Sequence, residues 1–207
     1  MKRSTTTALA AAGAAALWYL RRRRANARRR ARLLEAGHEQ IDLLPNERGA
    51  VICMSPAIST VTFCRGSLER AAAKLGPRVA AVVRANPWLA ARLDDCDGEL
   101  ALFVPPNARD AKRFAVRYDV ALRRKTPYVA LVEALARGGR QGPVLCGTSN
   151  EARGTSAPLW QVSLVPCADD ANAYALVVSA NHSLLDGIGP RRNHNAPRVF
   201  LRVDAPG

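Results

Sequence analysis

Apolar and polar positions along the chain follow two periods. Leu68, Ala71, Ala72, Leu75, Val79, Val82 and Val83 recur every three to four residues, which predicts a helix over residues 68–90. Gly76-Pro77 interrupts that pattern and predicts a kink or a division into two helices. Pro87 ends it, and Trp88 and Leu89 are expected to anchor that end in the core. A second helical stretch covers residues 126–136, with Leu131 and Leu135 on one face. The short β-branched runs 50–54 and 59–64, parted by Ser55-Pro56, predict two strands or one interrupted strand. Residues 94–99 carry a hairpin-turn signal, and 100–104 is the returning strand, closed by Pro105 and Pro106. Residues 113–120 alternate loosely and predict a further strand. The apolar runs 158–166 and 174–180, joined by a polar turn at 168–172, predict an antiparallel hairpin. Together these predict an α/β domain of the α+β two-layer kind: a mixed, largely antiparallel sheet with helices packed against it.

Charge divides the chain. The net charge is +14, and residues 1–34 hold ten basic residues and no acidic one, which leaves +4 for the remainder. The high pI therefore belongs to the N-terminus, and nucleic-acid binding is not expected of the folded domain. Cys53, Cys64, Cys96, Cys146 and Cys167 form no Cys-x-x-Cys pair, and no histidine sits at a zinc-like offset from them. They are expected to be reduced and mostly buried thiols, and no metal site is expected. The glycines of residues 138–143 lack a strand before and a helix after in the order a phosphate cradle needs, so they predict a plain loop.

Residues 4–20 carry no charge, are dominated by alanine and end in Leu17-Trp18-Tyr19-Leu20, with Arg21 to Arg24 directly after. As a helix this run spans ~25 Å, slightly short of a ~30 Å hydrocarbon core. The aromatic pair and the arginines lie where an interfacial belt and a cytoplasmic flank would be. The expectation is a short membrane anchor with a cytosolic body. Two alternatives are an organellar transit peptide, which is also rich in Arg, Ser and Ala, and a free basic tail that binds nucleic acid through residues 21–32. Residues 28–40 continue as a helical connector, and the turn cluster 45–49 marks the start of the domain.

The candidate chemistry lies after the last predicted strand. Asn181-His182-Ser183-Leu184-Leu185-Asp186-Gly187 places a histidine at a strand end, with an aspartate four residues on and a glycine next. Two further segments accompany it in order: Asn86-Pro87-Trp88-Leu89 with Ala91-Arg92-Leu93, and the strand opening Pro158-Leu159-Trp160. The three together resemble the superfamily of chloramphenicol acetyltransferase, nonribosomal-peptide condensation domains and BAHD acyltransferases, over about residues 50–189.

That resemblance implies a chloramphenicol acetyltransferase-like half-domain and acyl transfer from a thioester to a hydroxyl or amine. It implies His182 as the general base, a role suited to an imidazole with an unperturbed pKa of ~6.5. It implies a mainly structural Asp186 and a Gly187 that keeps the channel clear. Acyl-CoA or an acyl-carrier thioester is the expected co-substrate, with small-molecule donor and acceptor as partners. Asn181 stands where several members carry a second histidine. Ser183 is not expected to be a nucleophile, because no Gly-x-Ser-x-Gly is present. His38 and His194 are assigned no role.

In that superfamily two half-domains enclose a tunnel, and the histidine motif leads into a helix. Here Pro190 and Pro197 bracket a basic polar stretch instead. The expected organisation is an apolar and Arg-rich segment at residues 1–45, an N-terminal acyltransferase-like half-domain at 46–189 and an irregular C-terminus at 190–207, in a truncated product or an incomplete gene prediction. A catalytically inactive half-domain is the expected alternative to an active enzyme.

Overall fold

The computed structural model of the 207-residue chain describes residues 4–45, 47–96 and 99–185. Asp186, Gly187 and residues 190–207 lie outside the described residues. The expected α+β class is observed, with the strands divided between two sheets. One is three-stranded and antiparallel, in the order β1 (Glu39–Asp42), β4 (Glu99–Val104), β3 (Arg92–Cys96). The other runs β2 (Ile58–Arg65), β7 (Ala173–Ala180), β6 (Trp160–Pro166), β5 (Phe114–Val116). β5 pairs with β6 in parallel, with Phe114 opposite Val162, and an isolated parallel bridge joins Leu122 to Cys167.

The predicted β6–β7 hairpin is present, from Trp160 opposite Ala180 to Pro166 opposite Tyr174. β7 alternates buried Ala173, Ala175, Val177 and Ser179 with half-buried Tyr174, Leu176 and Val178. This is a strand with one face in a core. That core contains Val120, Leu122, Leu135, Val144, Val165, Ala175 and Val177, covered by α4 (Tyr128–Arg137). A second core lies between the sheets, where Leu93, Leu102, Leu89, Leu159 and Leu184 meet.

α3 (Leu68–Ala85) is one continuous helix despite Gly76-Pro77. Its start is capped by the Ser67 hydroxyl, which accepts from the Arg70 amide at 3.1 Å. Gly76 admits a neighbour: the Phe114 ring of β5 lies 3.4 Å from where a Cβ would sit. Pro87 ends the helix as expected, and the 3₁₀ turn Pro87–Ala90 buries Leu89 and packs Trp88 against the core.

Three expectations are corrected. Residues 50–54 form a short helix, α2 (Ala50–Met54), not a strand. Cys53 of this helix is buried, Ile52 is half-buried, and Val51 and Met54 are exposed, so the run packs one side of a helical turn rather than a face of a sheet. The helical pattern after residue 28 stops at Glu35, the end of α1 (Ser4–Glu35). Gly37 at φ +79° turns the chain there, the His38 amide bonds back to the Leu33 carbonyl at 3.0 Å, and β1 follows. The transmembrane expectation also changes. Residues 4–20 are helical, but among the described residues no helix is long and apolar enough to cross a membrane. Alanine contributes too little apolar surface for that.

The glycine-rich loop after α4 is held by Arg117, whose side chain is buried. Its guanidinium donates to Asp119 at 2.9 and 3.2 Å, to the Pro143 carbonyl at 3.0 Å and to the Gly142 carbonyl at 2.5 Å. Asp119 also accepts from the Gln141 amide at 2.9 Å. A Cβ at Gly139 would run into Asp119, which is why the loop approaches so closely. The Arg117 hydrogen bonds, then that amide, hold the Asp119 carboxyl at a pKa of about 2. A depressed carboxyl stabilises the fold above its unfolded value of ~3.9, and that contribution is lost as pH falls through about 2. Acid titration followed by circular dichroism is therefore expected to show a transition between pH ~4 and about 2 that is weakened in Asp119→Asn. Identical acid profiles for parent and variant would contradict this clamp.

Candidate functional site

β7 is an inner strand between β2 and β6, and it delivers its C-terminal end to a polar turn at the edge of the core between the sheets. Asn181 follows directly and is fully buried. Its amide N–H donates to the Leu159 carbonyl at 2.7 Å, which ties the turn to the start of β6. Its side-chain Nδ2 donates to the Gly147 carbonyl at 2.8 Å. Oδ1 accepts twice, from the Ser149 hydroxyl at 2.8 Å and from the Ser183 amide at 3.0 Å. The second bond caps the short helix α6 (His182–Leu185), and the Leu184 amide bonds to the Asn181 carbonyl at 3.1 Å.

The network continues through Ser183, which is also fully buried. Its hydroxyl lies 2.6 Å from Ser149 Oγ and 3.2 Å from the Glu47 carbonyl. Glu47 is buried too, and its carboxylate accepts from the Leu44 amide at 2.7 Å. Ser149 opens α5 (Ser149–Ala152), a single turn fixed by a capping box between Thr148 and Glu151. Four separate segments thus meet at one buried polar knot: the turn at Glu47, the loop at Gly147–Ser149, the start of β6 and the end of β7.

His182 is the exception within this turn. Asn181, Ser183 and Leu184 are buried, whereas His182 is half-buried. Leu184 enters the core beside Leu159 and Leu93, which fixes the far side of the turn. The His182 Nδ1 atom is shielded from solvent. The turn therefore holds a half-buried imidazole on a base that hydrogen bonds and packing fix on both sides.

Of the sequence-predicted residues, His182 is placed at the strand end as expected, and Asp186 and Gly187 lie outside the described residues. The Ser183 hydroxyl is engaged with Ser149 and the Glu47 carbonyl. Glu47 and Ser149 were not singled out from the sequence. The Thr148-x-x-Glu151 spacing is a legible cap signal, but nothing local connects Ser149 with Asn181 or Glu47 with Ser183.

A groove of about 920 Å³ lies next to this knot. Val61, Leu131, Leu135, Leu145 and Pro158 supply apolar walls, and Ser59, Cys146 and Gln161 supply polar ones. Gly147 and Thr148 form its end nearest Asn181. Cys146 bonds through its amide to the Ser179 hydroxyl at 2.9 Å, and its thiol donates to the Ser179 carbonyl at 3.4 Å. Burial pushes that thiol up to about 11, so at neutral pH it is protonated and a poor nucleophile. The same burial lowers the pKa of Arg113, whose guanidinium donates to the Ala90 carbonyl at 3.2 Å.

No family profile matches the chain. No curated protein matches it either. Solved structures do resemble it. The epimerization domain from the third module of tyrocidine synthetase B superposes with a TM-score of 0.44 at 15% identity, over 70% of this chain and 30% of its own. TRI101 of F. sporotrichioides, solved with coenzyme A and T-2, gives 0.45 at 12% identity, over 70% of this chain and 36% of its own. The wax ester synthase/diacylglycerol acyltransferase of Marinobacter aquaeolei gives 0.39 at 15% identity, over 72% and 34%. The chain spans about a third of the length of each of these structures.

Proposed function

We propose that this chain carries the acceptor-activating half of an acyl-transfer site, with His182 as general base. One observation carries the reading: His182 is the half-buried, partly accessible residue of a turn in which Asn181 and Ser183 are buried and hydrogen-bonded and Leu184 is packed in the core. Rigid presentation of one imidazole is what proton abstraction from a bound nucleophile requires. With Nδ1 shielded, Nε2 is the nitrogen that meets the acceptor. Nε2 takes the proton from the acceptor hydroxyl or amine as that group attacks the thioester carbonyl. The new C–O or C–N bond forms, the C–S bond breaks, and the departing thiolate takes the proton from the imidazolium. Neither Ser183 nor Cys146 enters this sequence, the first engaged in the buried knot and the second held protonated. Acyl-CoA or an acyl-carrier thioester is the proposed donor.

Thiol release from acetyl-CoA, measured with a panel of alcohols and amines, tests the reading. Release is expected to depend on acceptor, and intact-protein mass spectrometry is expected to show no acyl-enzyme. Acceptor-independent release with an acyl group on Ser183 or Cys146 would overturn direct transfer.

A second reading, a half-domain that binds without turnover, has one observation in its favour. On β2, Ile58, Thr60 and Thr62 are exposed, beside half-buried Leu176 and Val178 of β7. Such an open sheet face suits a covering partner. Absence of thiol release with every acceptor would favour it.

A further inference from the structure

The N-terminal half of α1 has no part in the site, yet it carries an unusual surface. Every residue from Gly13 to Ala25 is exposed. Leu17, Trp18, Tyr19 and Leu20 are 52%, 61%, 56% and 51% exposed, and they encircle the helix in one turn. Arg21 to Arg24 form a second ring directly after them, and no acidic residue precedes Glu35. The Arg22 guanidinium stands 5.2 Å from the centre of the Trp18 ring, so the two bands are in contact.

The C-terminal half of the same helix is fastened to the body. Arg29 pairs with buried Asp94 at 2.7 Å and also donates to the Gly154 carbonyl. Asn26 donates to Asp95 at 3.3 Å and Arg30 to Gln40 at 2.8 Å. Leu33 packs with Ala101 and Phe103. These residues lie on one side of the helix at three-to-four spacing. Arg21, Arg24 and Arg28 fall on the opposite side and are exposed.

We propose that this band docks the domain on an anionic lipid bilayer. Trp18 and Tyr19 sit among the headgroups, and Arg21 to Arg24 meet lipid phosphates. The helix does not cross the bilayer. It holds the body at a fixed orientation, because residues 26–33 are bonded to the sheet. Charge complementarity alone would suit nucleic acid equally. Four large exposed apolar residues beside the arginines have a use only at an apolar boundary.

The test is co-sedimentation of the full 207-residue chain with phosphatidylcholine vesicles and with phosphatidylcholine–phosphatidylserine vesicles. Binding is expected to the second only. Changing Arg21, Arg22, Arg23 and Arg24 together to Gln is expected to weaken it on the order of a thousandfold. Trp18→Ser with Tyr19→Ser is expected to weaken it at least about tenfold. Both variants alter exposed residues only, so the melting transition of the body serves as the folding control. Absence of binding to anionic vesicles would overturn the proposal. So would vesicle binding indifferent to the serine pair, or duplex DNA binding that survives the serine pair and displaces the vesicles.

Discussion

Replacing His182 with alanine is expected to lower acceptor-dependent thiol release by about 10²–10⁴-fold, the usual contribution of a positioned general base. The fold is expected to persist, because the turn is held by its neighbours. Asn181 bonds to Gly147, Ser149 and Ser183, Leu184 is packed in the core, and His182 itself is only half-buried. His182→Ala should therefore melt close to the parent. His182→Gln, which keeps a polar side chain without a comparable proton acceptor, should be impaired to a similar degree. Activity in the glutamine variant near that of the parent would assign His182 a binding role in place of proton transfer.

The largest expected loss of stability comes from Asn181→Ala. The change strands the Gly147 carbonyl, the Ser149 hydroxyl and the Ser183 amide at a fully buried point. Each stranded buried group costs about 1–3 kcal/mol, and partial rearrangement keeps the total below their sum. A loss of about 3 kcal/mol is expected, or about 10 °C in melting temperature for a chain of this size. Ser149→Ala removes fewer partners and should cost about 1 kcal/mol. Thermal melting of the two variants beside the parent checks both the magnitude and the order. Equal, small shifts would mean that the knot does not hold the turn. Because Asn181 supports His182 from below, its loss should also reduce thiol release in protein that remains folded.

The elements legible in the sequence are those whose pattern is local. The β6–β7 hairpin follows from two apolar runs and a polar turn, and the end of α3 follows from Pro87. α4 follows from Leu131 and Leu135 at helical spacing, and Leu135 is fully buried. The misassigned stretches are short. In Ala50–Met54, side-chain type outweighed the Gly49 and Ser55 caps that bound a single helical turn. β1 exists through its antiparallel partner β4 and through Gly37, a stop signal that the helical pattern before it obscured. The division into two sheets and the parallel β5–β6 pair are decided by long-range packing that periodicity does not encode.

The site shows the same division. His182 is legible because its strand, its aspartate spacing and its glycine are contiguous. Asn181 was visible only as a departure from a second histidine, and the fold explains the choice. A fully buried position with one donor bond and two acceptor bonds to satisfy suits an amide. Ser149 and Glu47 reach this knot across 32 and 136 residues of chain, to Asn181 and Ser183 respectively, and no local pattern announces such pairs.

The most direct measurement of the central claim is acceptor-dependent thiol release by the parent chain and by His182→Ala, at equal concentration of folded protein. The account predicts release by the parent that rises with acceptor concentration and is reduced at least about a hundredfold in the variant. Acceptor-dependent release at equal rates by both would contradict it.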